Sequence, residues 1–147
     1  MGSNMSRDYI VYLNTENLPS PSAWKEEILR QGFPCEPDDD INLLMFSGFL
    51  SCSVNGEISG FEYYIYEFDE DILSELDSLP SVNYGITFST GSRKLETIAA
   101  LAAASCLAKL TGGYFVDFNS GLTLKSDLTI DWAKSQTEIV TGENYGH

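Results

Sequence analysis

Between Arg30 and Arg93 the sequence contains neither lysine nor arginine, although twelve acids fall within those 62 residues. They are Glu36, Asp38, Asp39, Asp40, Glu57, Glu62, Glu67, Asp69, Glu70, Asp71, Glu75 and Asp77. Acids without local counterions repel one another and work against a compact state. Such a surface is useful where it meets a basic partner, because complementary potentials speed and orient encounter; acidity that serves solubility alone is the competing explanation. The whole chain carries a net charge of −14 and a pI near 4.1. Bare nucleic acid is therefore not an expected ligand, since phosphate binding needs clustered cations. An anionic membrane surface is not expected either, for the same reason.

Histidine is almost missing: the one example is His147, the last residue. A chain end does not hold a base in fixed geometry against a nucleophile, which argues against Ser–His and Cys–His catalysis. Zinc chemistry lacks its ligand set, since structural sites need four close Cys or His residues. There are three cysteines, Cys35, Cys52 and Cys106, widely spaced and without a CxxC pair. Their odd number argues against a disulfide framework and fits a reducing cytosol, with each thiol a small buried hydrophobe. No Walker-type loop and no GxGxxG occurs. The longest apolar run, around Ile98 to Ala104, is too short to span a bilayer, and no signal-peptide pattern opens the chain. Met1 to Asn4 reads as a cloning leader ahead of a native Met5.

Paired carboxylates are the remaining route to catalysis, in glycosidase or metal-assisted chemistry. Acids are so abundant that pairs arise by chance. Asp38, Asp40 and Asn42 match the first ligands of an EF-hand loop. Leu43 then stands where the loop needs glycine, and Phe49 where it needs glutamate. No cofactor, no metal and no catalytic residue is expected from these patterns.

What is present suits one globular domain. At 147 residues, 43% hydrophobic and 12% aromatic, the chain can bury a core. Residues 6–147 read as a single domain without linker or repeat. Tyr9 to Leu13 is β-branched and aromatic, a first strand. Ser20-Pro21 starts a helix through Trp24 and Ile28 that stops at Gly32, with Lys25, Glu26 and Glu27 outward or flanking. Phe33 to Asp40 reads as loop, and the signal becomes β from Ile41 to Phe68. Asn55-Gly56 marks a hairpin. On the return strand Phe61, Tyr63, Ile65 and Glu67 share one face, and Glu62, Tyr64, Tyr66 and Phe68 the other. Asp69 begins a short helix through Leu79, ended by Pro80. Tyr84 to Phe88 is a further strand, with Ser92 an N-cap for the helix that follows.

Arg93 to Leu110 carries the clearest helical spacing, with Leu95, Ile98, Ala99, Ala102, Cys106 and Leu110 on one stripe and Gly112-Gly113 as terminator. Tyr114 to Phe118 is a strand, Asn119 to Gly121 a turn, and Leu122 to Leu124 a brief pairing. A final helix starts at Ser126 or Asp127 and runs through Leu128, Trp132 and Ile139. The predicted fold class is α+β: a mostly antiparallel sheet packed against the alanine-rich helix and two or three others.

Tyrosines interleaved with acids suit a protein interface, because tyrosine supplies contact area at low entropic cost while acids capture Lys or Arg. The candidate partner-binding residues are Asp38, Asp39, Asp40, Tyr64, Tyr66, Glu67, Asp69, Glu70 and Asp71. Ordinary strand packing is the competing explanation for the tyrosines.

The stretch from Tyr84 to Leu124 combines Ile86-Thr87-Phe88, Glu96, the run Ala99 to Ala104, Leu107 to Gly113, Val116-Asp117 and Ser120-Gly121. It resembles small bacterial immunity proteins of polymorphic toxins, including those of contact-dependent growth inhibition. The resemblance implies a cytoplasmic, non-catalytic inhibitor, monomeric or homodimeric, that blocks the active site of one cognate toxin domain. Such a toxin is often a nuclease, whose basic phosphate-binding surface an acidic inhibitor complements. The alternatives are a generic binding or adaptor module, homodimeric through its aromatic sheet face, and a metal-assisted carboxylate enzyme.

Overall fold

The computed structural model describes residues 6–67 and 82–145. Seven strands form one sheet: β1 (Arg7–Leu13), β2 (Cys35–Pro37), β3 (Gly48–Val54), β4 (Glu57–Glu67), β5 (Tyr84–Thr90), β6 (Tyr114–Asp117) and β7 (Leu122–Lys125). Their spatial order is β2-β3-β4-β5-β1-β6-β7, and every neighbouring pair is antiparallel. Three helices lie among the described residues: α1 (Pro21–Arg30), α2 (Lys94–Thr111) and α3 (Ser126–Tyr145). The molecule is thus α+β with an antiparallel sheet, as the sequence predicts.

Strand alternation decides which side faces the helices. Tyr9, Val11 and Leu13 of β1, Phe61 and Tyr63 of β4, Ile86 and Phe88 of β5 and Phe115 of β6 are buried on that side. The register places Tyr63 opposite Phe88 and Val11 opposite both Ile86 and Phe115. Trp24 of α1 joins this layer. Its ring meets those of Tyr63 and Phe88, and its Nε1–H donates to the Ala103 carbonyl at 2.9 Å, locking α1 onto α2. Trp132 of α3 closes the other end against Phe115.

The local signals act where expected. The Ala23 N–H donates to Ser20 Oγ at 3.1 Å, and Pro21 begins α1. Asn55 and Gly56 both take positive φ (53° and 81°), the conformation a type I′ hairpin requires. Gly112 ends α2 in the left-handed region.

Several expectations are corrected. The predicted loop from Phe33 to Asp40 contains strand β2, held to β3 by the Cys35–Val54 and Pro37–Cys52 pairings. Proline is tolerated there because β2 lies at the edge of the sheet. Residues 41–47 are not strand; β3 starts only at Gly48. Residues 97–108 of α2 are buried on every side, not along one stripe, because alanine lets the sheet, α1 and α3 all approach the same helix. Ser92 does not cap α2. Arg93 holds the cap position without a side-chain bond, and Glu96 accepts the Gly91 N–H at 2.9 Å. The final helix does run through Leu128, Trp132 and Ile139 as predicted, and along it Thr129, Ile130 and Ala133 are buried while Leu128 and Ile139 are exposed. Glu27 is buried, not flanking. The predicted helix from Asp69 to Leu79 falls outside the described residues.

Candidate functional site

The three aspartates leave the sheet at the end of β2. The Asp38 N–H still donates to the Ser51 carbonyl at 2.9 Å, extending the edge by one bond. Asp38 Oδ1 then accepts the Asp40 N–H at 3.0 Å, a local turn that turns the chain away from β3. Asp38, Asp39 and Asp40 are all exposed. Asp39 lies 3.7 Å from Lys25 of α1, an exposed pair of little energetic weight. That contact places the acids toward the helix layer.

The following residues form a fixed bend. Asn42 Oδ1 accepts the Leu44 N–H at 2.9 Å, and the Asn42 carbonyl accepts from Met45 and Phe46 at 3.0 and 2.8 Å. Leu43 is buried, and its carbonyl accepts the Tyr63 hydroxyl at 2.5 Å. Phe46 packs edge-on against the Tyr63 ring. With Leu43 held inward, its neighbours face water: Leu44 is 42% exposed and Met45 is 76% exposed. Between this bend and the start of α1 lies an open groove of about 320 Å³, walled by Leu18, Pro19 and Pro21 on one side and Ile41 to Leu44 on the other.

Tyr64, Tyr66 and Glu67 occupy a different region. Tyr64 and Tyr66 alternate with the buried Phe61 and Tyr63, so they stand on the opposite sheet face, and β3 separates β4 from β2, which the aspartates follow. Tyr64 is 43% exposed and donates its hydroxyl to Glu62 at 2.7 Å. That bond holds the phenol's proton, raising its pKa. Tyr66 is partly covered: its ring lies over Gly85, where an added Cβ would meet Cζ at 2.7 Å. Burial, the neighbouring Tyr12 and the hydrogen bond to it push the Tyr66 phenol up to about 12. Tyr66 is therefore engaged in sheet packing and is a poorer anchor than Tyr64. Glu67 is exposed at the end of β4, opposite Tyr84. The sequence-predicted residues thus form two separate regions, not one patch. Asp69, Glu70 and Asp71 lie outside the described residues.

The buried titratable groups have internal partners. Glu27, 4% exposed, bridges α1 and α2 through Arg30, Gln31 and Lys109, the last at 3.0 Å. Burial alone would raise its pKa, but the three donors reverse this and hold the carboxyl at about 2. Cys35, Cys52 and Cys106 are free and buried. Burial and the nearby Glu27 push the Cys106 thiol up to about 12, and contact with Cys52 together with burial drives Cys35 well above the usual range. These are unreactive thiols. Among the described residues no three His, Cys, Asp or Glu side chains gather where a metal could be held, and no helix is long and apolar enough to cross a membrane.

The groove was not read from the sequence. Its walls come from segments twenty or more positions apart, Leu18 to Pro21 and Ile41 to Leu44. The one available signal is Leu43-Leu44-Met45, an apolar run two residues after the three aspartates that a single buried position cannot absorb. Compared with known proteins, the chain matches no family model, no curated protein and no solved structure.

Proposed function

We propose that this chain is a non-catalytic inhibitor in the cytoplasm that binds a basic toxin domain, a nuclease by the charge argument, and blocks its active site. The observation that supports the reading most is the exposed acidic turn at the sheet edge. Asp38, Asp39 and Asp40 are exposed, with the Asp38 N–H bonded to Ser51 and the Asp38 carboxylate accepting the Asp40 N–H, in a stretch between Arg30 and Arg93 that supplies no cation. Lys25 is the one cation bridged to them among the described ion pairs, and at 3.7 Å it neutralises little. Three adjacent exposed carboxylates attract a cationic surface from a distance. The internal partners of Glu27 and Tyr63 and the masked thiols assign the buried titratable groups to structure, in keeping with a non-catalytic role.

Affinity capture from host lysate, washed at low and at high salt, tests the reading. One basic protein should be retained at low salt and largely released at high salt. Its toxic activity should be abolished by the wild-type chain. Replacing Asp38 and Asp40 by lysine should slow its association at least tenfold at low ionic strength. Recovery of the chain alone, as a salt-insensitive self-associate, would instead support a homodimeric binding module. A captured partner that is acidic, or one unaffected by the charge reversals, would end the proposal.

A further inference from the structure

We infer that the groove between the start of α1 and the bend at residues 41–44 is the docking site for that basic partner, which inserts one apolar side chain flanked by lysine or arginine. This rests on the preceding reading and adds the chemistry of the contact. The groove's volume, about 320 Å³, exceeds what one large aliphatic or aromatic side chain needs, and Leu18, Pro19, Pro21, Ile41 and Leu44 give it apolar walls. Acids stand next to it in the chain: the exposed Asp38, Asp39 and Asp40 lead directly into Ile41, and the one cation paired with them among the described residues is Lys25, 3.7 Å from Asp39. An apolar side chain would fill the groove while its cationic neighbours meet those acids.

The bend is also built before any partner arrives. Leu43 is buried, its carbonyl is tied to Tyr63, and Asn42 closes the turn, so little ordering remains to be done on binding. Yet the same bend leaves Leu44 and Met45 in water. Met45 is unbranched and adaptable, suited to close over an inserted side chain. The acids set the rate and orientation of encounter, and the apolar insertion sets its lifetime. A second copy of the chain is the weaker occupant, because two molecules of charge −14 repel. Its one matching element would be the adjacent pair Arg93 and Lys94.

The test is a titration of the ¹⁵N-labelled protein at low salt with a synthetic peptide, Lys-Arg-Leu-Arg-Lys, and with the same peptide carrying serine for leucine. The leucine peptide should shift the amides of Leu18, Asn42 and Leu44 and bind about tenfold more tightly than the serine peptide. Leu44→Ser with Met45→Ser should remove that preference, and Glu57→Lys, on the exposed hairpin, should keep it. Equal binding of the two peptides, shifts centred on Tyr64 and Glu62, or no shift with either would overturn the groove. So would sedimentation showing self-association that the Met45→Ser change abolishes, which would give the groove to a second copy. Capture of a basic partner whose affinity is unchanged in the double serine variant would sink the groove alone, whereas failure to capture any basic partner would remove the functional reading.

Discussion

Glu27 owes its charge to three donors from two helices. Arg30 and Gln31 reach it from within α1, and Lys109 reaches it from the last turn of α2. Its folded pKa of about 2 lies below the ordinary 4.5. The folded state therefore holds this proton more weakly than the unfolded state. The stabilisation is complete above about pH 4.5 and is lost as pH falls toward 2. The shift corresponds to roughly 2–3 kcal/mol once the exposure of Arg30 and Lys109 is discounted. Glu27→Gln should lower stability by about that amount at pH 7 and flatten the acid limb between pH 4.5 and 2, measured by urea denaturation across pH. An unchanged acid limb would show that Glu27 does not couple the helices. Sequence spacing placed this residue at the edge of the apolar stripe and missed it, because its cationic partner Lys109 stands 82 positions away in another helix. Tyr66 is a similar case. It alternates with Tyr63 as predicted, but the ring's place over Gly85 follows from strand pairing that only the fold provides.

At the scale of elements, the punctuation was legible and the contacts between elements were not. Ser20-Pro21, Asn55-Gly56 and Gly112-Gly113 each act through backbone geometry within a few residues, so the sequence states them directly. Strand β2 was illegible because three residues with a proline carry no periodicity; it exists only because β3 is beside it. Helix α2 was recognised but its burial was read as a stripe, since alanine's spacing says nothing about how many neighbours approach. Its environment gives a second prediction. Ala102 is fully buried with α1, α3 and the sheet all against the helix. Ala102→Leu should cost about 1–3 kcal/mol through overpacking, whereas Ser92→Ala, at an exposed site before the helix, should stay within about 0.5 kcal/mol. Equal effects in thermal unfolding would show that α2 has slack. The acidic edge was legible as charge, but the adjoining groove needed Leu18 to Pro21 brought beside Ile41 to Leu44.

For the whole molecule, charge is the dominant long-range term. A net −14 on 147 residues follows from 22 acids against eight lysines and arginines, and two of those cations, Arg30 and Lys109, pair with Glu27. The excess of acids leaves self-repulsion that depends on screening, whose range is about 10 Å at 0.1 M salt. Raising sodium chloride from about 10 to 200 mM, a range over which screening tightens from tens of ångströms to under ten, should raise the Tm by several degrees. A flat or falling Tm would mean that the acids are already compensated.

Helix α2 has a consequence for how the chain can vary. At its alanine positions the surrounding sheet and helices leave room for a methyl group and little else, so heritable change there is confined to the smallest side chains. The bend from Asp38 to Met45 is less restricted: Leu43 is anchored inward and Ile41 packs on the core, whereas Asp39, Asp40, Leu44 and Met45 project into water. Frame and exposed bend are therefore physically separable. Residues 38–40, 44 and 45 can change while the alanine helix keeps the same scaffold, and under the docking proposed above, exchanging that bend between divergent chains should exchange what they bind.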